Sequence, residues 1–279
     1  MNNDSPRSFL YVPADQDDKL HKAANRGADA ILIDLEDSVF SENKKKARKN
    51  LVNFLNKYDL QTEIWVRVNN DPHLLVEDLL VAVHPKVAGI SIPKSDSAEQ
   101  LLEVANEITK LEKISGSANI KMLALIESAR GVFAAVDIAL VPRVSMLQLG
   151  EQDLRHELRL PPDFSHSPLD YARNAIIYAS AIAEIHQPLG SVVTQFSDLI
   201  SFRESTEAIR RQGFFGRTCI HPSQVSIVND VFSKNEEEVK KARRIVEIME
   251  YSTRGANVDD DGKMIDEAHL KWAKSILGN

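Results

Sequence analysis

The acidic residues that close two of the apolar runs are the first chemistry this sequence offers. Glu127 follows Met122–Ile126, and Asp153 follows Val144–Leu149 after Gly150-Glu151-Gln152. If both runs are neighbouring strands, the two carboxylates could converge on one ion. Two carboxylates with several open positions suit Mg²⁺, a hard cation that keeps waters and shares substrate oxygens. The alternative is that Glu127 or Asp153 caps the helix that follows it. Thiolate and imidazole clusters of the kind that hold Zn²⁺ are absent from the pattern, and the chain has a single cysteine, Cys219.

Other strand ends carry chemistry as well. Arg67 closes Ile64–Val68, where a guanidinium could neutralise a substrate carboxylate or polarise a carbonyl. Its alternative role is a salt bridge to Glu36 or Asp37, which follow Ala30–Leu35. Those two acids could in turn support the metal ligands from a second layer, or simply pair with Lys or Arg. Lys94 is a poor Schiff-base candidate, because nearby carboxylates keep its amine protonated. His221, before Pro222, reads as a neutral histidine capping a loop.

The elements that position these residues follow from periodicity. Eight short β-branched runs are expected as strands: Phe9–Val12, Ala30–Leu35, Ile64–Val68, Val87–Ile92, Met122–Ile126, Val144–Leu149, Gly190–Thr194 and Arg217–Ile220. Several are apolar throughout, as in parallel strands covered on both faces. Helical patterns lie between them at Asp17–Asn25 (ending at Gly27), Asn43–Lys57, Glu99–Ile114, Leu169–Ile185 and Phe202–Arg211. Asp96 and Glu99 make a D-x-x-E capping pattern. The repeat length is that of a βα unit, so the fold expected is an α/β (β/α)8 TIM barrel, with a doubly wound open sheet as its competitor. In such a barrel, residues at the carboxyl ends of the strands share one mouth. Residues 1–232 make the barrel, and 233–279 make a C-terminal helical extension with helices at Glu236–Tyr251 and Asp266–Ile276. Lys44-Lys45-Lys46 reads as a solvated helix face. Asn257-x-Asp259-x-Asp261-Gly262 resembles the start of an EF-hand loop, but its twelfth position is Ala268, where a bidentate Glu is required, so calcium is not expected there.

Composition narrows the function classes. The 279 residues carry 34 Lys and Arg against 41 Asp and Glu, a net charge of −7. That argues against nucleic acid or an anionic membrane as partner through a broad basic face. Neither a membrane-spanning run nor a basic-then-apolar leader is evident, and one cysteine fits a reducing compartment, so a cytoplasmic enzyme is expected.

With these residues identified, the sequence resembles the citrate lyase β subunit and its relatives in the HpcH/HpaI aldolase superfamily, the citryl-CoA, citramalyl-CoA and malyl-CoA lyases. The matching segments are Arg7-Ser-Phe-Leu-Tyr-Val-Pro13, Gly27-Ala-Asp-Ala-Ile-Leu-Ile-Asp-Leu-Glu-Asp-Ser38, Arg67-Val-Asn69, Ile92-Pro-Lys94, Leu125-Ile-Glu-Ser128, Leu149-Gly-Glu-Gln-Asp153, Ile220-His-Pro-Ser-Gln224 and Gly262-Lys-Met-Ile-Asp266. They run in order along nearly the whole chain. Departures are Pro13-Ala-Asp15 where Pro-Gly is commoner, Arg217 where Lys is frequent, and a segment after Asp153 that lacks the usual Gly- and Arg-rich character.

The resemblance implies a barrel that takes Mg²⁺ and an acyl-CoA. It implies Glu127 and Asp153 as metal ligands, Arg67 as the active-site arginine, and Arg7 near the CoA-binding mouth, with Glu36 and Asp37 supporting the bound group. Asp266 matches an acid/base aspartate supplied from a neighbouring subunit, which implies a homotrimer or a larger homo-oligomer. The implied reaction is retro-Claisen cleavage of a β-hydroxyacyl-CoA to acetyl-CoA and a 2-oxo acid. Asp266 would then need its pKa raised, by burial at a subunit interface. Alternatives are a malyl-CoA thioesterase, the β subunit of a multi-subunit citrate lyase, a class II aldolase on free acids, and a non-catalytic partner in a larger complex.

Overall fold

The computed structural model describes residues 5–161, 168–250, 256–259 and 262–278. They divide into two compact units, Pro6–Val231 and the segment from Phe232 onward.

The first unit is a closed barrel of eight parallel strands in chain order. The strands are β1 (Ser8–Pro13), β2 (Ala30–Asp34), β3 (Glu63–Arg67), β4 (Gly89–Ile92), β5 (Lys121–Ile126), β6 (Val144–Leu149), β7 (Leu189–Gly190) and β8 (Gly216–Cys219). Closure comes from β1 pairing with both β2 and β8, at Phe9 with Ala30 and Thr218. An open sheet is thereby excluded. The helices between strands are α1 (Asp17–Ala23), α2 (Lys44–Lys57), α3 (Pro72–Ala82), α4 (Ala98–Ser115), α5 (Ala129–Phe133), α6 (Ala135–Ala139), α7 (Glu151–Glu157), α8 (Leu169–Ile182) and α9 (Leu199–Gln212), with α10 (Pro222–Val231) after β8.

The strands form because both faces are covered. Every residue of β2 is buried, its side chains alternating between the barrel interior and the helix ring. Phe9, Ala30, Leu32, Trp65, Leu123, Met146 and Leu189 fill the lower interior. Each large side chain there contributes roughly 1.5–3 kcal/mol through burial. Phe9 meets Trp65 edge-on, at 5.6 Å between centroids. Gly89 makes room for that indole, since a Cβ there would sit 2.3 Å from Trp65 Cζ3.

Four local expectations need correction. The seventh strand is only Leu189–Gly190, and Ser191–Thr194 leaves the ladder. Helix α1 stops at Ala23 rather than Asn25, and Gly27 takes φ 75° in the turn beyond it. Ser97, not Asp96, caps α4, accepting from the Gln100 N–H, while Asp96 accepts from the Ser128 hydroxyl. Lys44 is not solvated like Lys45 and Lys46. It is buried, and its ammonium donates to Leu35 O (2.7 Å), Glu36 O (2.8 Å) and Asn69 Oδ1 (2.8 Å). Three good acceptors satisfy all three of its protons and pin the chain that leaves β2.

The second unit holds α11 (Glu236–Glu250), an antiparallel hairpin of β9 (Ala256–Val258) and β10 (Met264–Asp266), and α12 (Glu267–Leu277). Its small core is Ala242, Ile245, Ile265 and Ala273. Of the segment read as an EF-hand-like turn, Asn257 and Val258 belong to β9, while residues 260 and 261 lie outside those described. No helix among the described residues is long and apolar enough to cross a membrane.

Candidate active site

A cavity of about 610 Å³ opens at the carboxyl ends of the strands. It is lined by Tyr11 and Pro13 of β1, Asp34 of β2, Arg67 of β3, Leu125 and Glu127 from β5, and Gln148, Gly150 and Asp153 from β6 and the start of α7. The parallel topology brings these residues together, since each strand delivers its last inward-facing residues to the same rim.

Glu127 is buried, and the backbone N–H of Lys94 donates to its Oε1 at 2.7 Å. Asp153, in the first turn of α7, lies within hydrogen-bonding reach of the Glu127 carboxyl. Burial pushes Glu127 up to about 8, and the charge of Asp153 adds to that rise against the pull of the Lys94 N–H. Two carboxyls so placed need either a proton or a cation between them. Gly150 keeps the space free: a Cβ there would lie 2.6 Å from Glu127 Cβ and 2.8 Å from Glu127 Oε2. Among the described residues no group of three or more His, Cys, Asp or Glu could hold a metal ion. A pair of oxygen donors with further positions left to water and substrate fits Mg²⁺ and fits Zn²⁺ poorly.

Arg67 carries a rigid set of partners. Its Nε and Nη2 donate to the two oxygens of Asp34, both at 2.7 Å, and its Nη1 lies 3.1 Å from Glu36 Oε2 and 3.7 Å from Asp37 Oδ2. The guanidinium stacks over the Tyr11 ring at 4.9 Å. Burial disfavours this charge, but Asp34 more than offsets it and holds Arg67 protonated well above its ordinary range. Burial likewise works against the Asp34 carboxylate, yet Arg67 and the Ser38 hydroxyl hold Asp34 below the usual carboxylate range. Asp34 is therefore the principal partner of Arg67, and the salt bridge to Glu36 or Asp37 that sequence reasoning held as the alternative role is present beside it. The available signal was its place as the one charge in an otherwise apolar strand.

Glu36 and Asp37 stand beside this pair. Lys94 Nζ reaches Glu36 Oε1 at 3.0 Å, so Lys94 touches Glu127 through its backbone and Glu36 through its ammonium. Burial raises Glu36 above its ordinary value despite Arg67 and Lys94. Asp37 lines the cavity and is largely exposed.

Arg7 requires a correction. It precedes β1, so it sits at the amino end of the barrel, opposite the cavity. Its guanidinium binds Asp29 (Nε to Oδ2, 2.7 Å) and the carbonyl of Asn229 (3.0 Å), a clamp at the barrel floor and not part of a ligand mouth. In its place, three cations missed by sequence reasoning line the cavity: Lys19 and Lys22 of α1 and Arg26 just beyond it. Their spacing of three and four residues is the only sequence signal for a shared face. His221 lines the cavity, accepts at Nδ1 from the Ser223 N–H (3.2 Å) and stacks on Phe196 at 4.9 Å.

In the second unit, Asp266 caps α12. Its Oδ1 accepts from the N–H groups of Ala268 (3.0 Å) and His269 (3.2 Å) and lies 2.7 Å from His269 Nδ1. These contacts, the His269 side chain first, hold its carboxyl below the usual range. Within one chain its carboxylate is thus biased toward the ionised form, the reverse of the upward shift expected for an acid.

A closed (β/α)8 barrel with a carboxylate pair and an arginine at its mouth defines a class of lyase, and the chain belongs to the HpcH/HpaI aldolase/citrate lyase family, which matches residues 7–222. A second family, the C-C bond lyases of the TIM-barrel fold, matches residues 172–279. The chain is therefore an enzyme of the carbon–carbon lyase type. It is 31% identical over 285 residues to the citrate lyase subunit beta of Leuconostoc mesenteroides subsp. cremoris, covering 99% of this chain and 94% of that one. It is 34% identical over 277 residues to the (3S)-malyl-CoA thioesterase of Cereibacter sphaeroides, covering 97% and 93%. Among solved structures it resembles CitE from Mycobacterium tuberculosis in complex with magnesium, acetoacetate and coenzyme A, at a TM-score of 0.79 and 27% identity over 97% of this chain and 96% of that one.

Proposed function

We propose that this protein is a Mg²⁺-dependent lyase that cleaves a β-hydroxyacyl-CoA to acetyl-CoA and a 2-oxo acid by retro-Claisen chemistry. The observation that carries this reading is the facing Glu127 and Asp153 carboxyls in one cavity with Arg67. When held by that pair, Mg²⁺ would supply a Lewis acid for the substrate's hydroxyl and adjacent carboxylate. The Lys94 N–H orients Glu127 for that task, as a support to a metal ligand does. As the carbon–carbon bond breaks, negative charge moves onto the thioester oxygen, and the fixed guanidinium of Arg67 stabilises it. Lys19, Lys22 and Arg26 offer a cationic face to the phosphates of the CoA moiety.

Asp266 completes the site from a neighbouring copy in a homotrimer or larger homo-oligomer. In cleavage its acid form protonates the terminal carbon of the departing enolate, and in condensation its carboxylate removes that proton. The low carboxyl of Asp266 in the single chain suits the base role; docking against a partner supplies the burial that the acid role needs. The protein works in the cytoplasm, where the buried thiol of Cys219 stays reduced.

The test is a product assay with malyl-, citramalyl- and citryl-CoA in Mg²⁺, with and without chelator. Acetyl-CoA and a 2-oxo acid should appear in equal amounts and vanish with chelator. The likeness to a malyl-CoA thioesterase favours a second reading, in which water hydrolyses the thioester of malyl-CoA itself to malate and CoA. Free CoA as the end product marks that outcome.

A further inference from the structure

Resting on that reading, we infer that Arg217 is a positioning residue for the metal pair: through Ser191 it fixes the first turn of α7, and with it Asp153. The need arises at Gly150, the residue before α7. A helix begins with N–H groups that have no partner inside it, and a side chain at the preceding position is the usual acceptor. Gly150 has no side chain to offer, and a Cβ there would press on Glu127. The acceptor comes from the next strand end instead, where the Glu151 N–H donates to Ser191 Oγ at 3.1 Å. Ser191 is buried and lines the same cavity as Glu127 and Asp153. Asp153 stands two residues beyond Glu151 in that turn.

Ser191 cannot be held there by the sheet, because β7 ends at Gly190. Side chains take over from the ladder. Gly190 pairs in register with Arg217 of β8, and Arg217 Nε donates to the Ser191 carbonyl at 2.9 Å. The Thr218 hydroxyl donates to Gly190 O at 3.0 Å, and Gln224 Nε2 donates to Val193 O at 3.0 Å. Arg217 is itself fixed by α9: its Nη1 donates to the Ser205 and Thr206 hydroxyls, both at 2.9 Å, and its guanidinium stacks on Phe202 at 4.9 Å. It is 5% exposed, and among the described residues it makes no ion pair. Burial pulls it down to about 10 against the attraction of Glu151, whose two oxygens are taken by Arg173 of α8 at 2.8 Å each. A buried cation without a counter-ion is costly to keep. Arg217 neutralises no acid; it holds neutral oxygens, and of these only Ser191 O belongs to a residue lining the cavity.

The experiment titrates Mg²⁺ into the full-length protein and its variants by calorimetry and records their melting temperatures. Arg217→Met leaves no acid stranded and should weaken Mg²⁺ about tenfold, as loss of a group supporting a metal ligand does. Ser191→Ala keeps the carbonyl and loses only the hydroxyl. It should weaken Mg²⁺ by a similar factor while melting close to the parent. The double variant should bind no more weakly than the weaker single, because both act along one path, and losses that multiply overturn the inference. Arg217→Lys keeps a cation for the Ser191 carbonyl and should recover at least about threefold of what methionine loses; a lysine variant as weak as the methionine variant counts against the inference. Parental Mg²⁺ affinity in Arg217→Met or Ser191→Ala overturns it, whatever the melting temperature does. Hydrogen exchange supplies an arm that needs no metal: in metal-free Arg217→Met and Ser191→Ala the amides of the first turn of α7 should exchange about tenfold faster than in the parent, with those of β1 to β3 unchanged. Unaltered α7 exchange overturns the inference. If the parent binds no Mg²⁺, the lyase reading falls, while the exchange arm still decides whether Arg217 and Ser191 fix α7. Where Arg217→Met does not fold, parental exchange in Ser191→Ala is sufficient to overturn the inference.

Discussion

Lys94 donates its backbone N–H to Glu127 Oε1 at 2.7 Å while holding a φ of 49°. A lysine in this left-handed region costs on the order of 1 kcal/mol, and it persists because the surrounding contacts fix it. The strain aims one N–H at a buried carboxylate and, through the side chain, one ammonium at Glu36. Backbone and side chain then make separable predictions. Lys94→Met keeps the N–H and should lower Mg²⁺ affinity by less than about tenfold, the lower end of the range for a residue supporting a metal ligand. Glu127→Gln removes a ligand charge and should lower affinity by about 100-fold or more and cleavage roughly 10²–10⁴-fold. Titration calorimetry with Mg²⁺ checks both, and an unchanged affinity in Glu127→Gln removes the metal pair from the account.

Gly150 is a second test of the same geometry. Its φ is −96°, so alanine is compatible with the backbone, and any effect comes from the side chain alone. The added methyl would lie 2.6 Å from Glu127 Cβ. Overpacking of this kind costs about 1–3 kcal/mol. Gly150→Ala should lower the melting temperature and displace Glu127, weakening Mg²⁺ about tenfold. If the variant binds Mg²⁺ as tightly as the parent, the two carboxyls do not grip the ion across Gly150.

Arg67 serves stability and chemistry through different atoms, and a pair of substitutions separates them. Arg67→Met leaves the Asp34 carboxylate buried without its partner, which should cost about 3–5 kcal/mol. Adding Asp34→Asn removes the stranded charge and should recover much of the stability. Activity should stay down roughly 10²–10³-fold in both variants, because the charge that stabilises the enolate is gone. Urea denaturation and the product assay read the two effects. Recovery of activity along with stability would make Arg67 a structural residue only.

What the sequence revealed, and what it hid, follows from how each feature is encoded. The strands were legible because a strand covered on both faces is apolar along its length, as Ala30-Ile-Leu-Ile33 is. The seventh was overextended because Val192 and Val193 look like strand residues, whereas Ser191 and Val192 turn out to line the cavity. Helices α5 and α6, at five residues each, are too short for periodicity to appear. Lys44 was hidden in a run of three lysines: composition cannot reveal that one ammonium finds three acceptors. Glu127, Asp153 and Arg67 were legible as charges closing apolar runs, while Asp34, closing one too, was passed over for the acids that follow it. Arg7 was misplaced against a rule already in hand, because a residue preceding its strand belongs to the barrel floor.

The same crowding of carboxyls sets a dependence on pH. Burial and Asp153 raise Glu127 from 4.5 to about 8. In the metal-free protein the folded state therefore binds a proton that the unfolded chain has already released. Stability from this group is fully present below about pH 4.5 and is lost as pH rises through 8. Glu36, raised by burial, changes stability in the same direction, so the comparison that isolates Glu127 is the parent against Glu127→Gln. The parent should lose stability more steeply than the variant over that window. Mg²⁺ should reverse the difference, because binding it near neutral pH expels the Glu127 proton. Denaturant titrations at a series of pH values, with Mg²⁺ or chelator, measure both slopes. Calorimetry in buffers of different ionisation enthalpy counts the proton released. Parallel curves for parent and variant, with no proton released on Mg²⁺ addition, would show that Glu127 is ionised at neutral pH before any cation arrives.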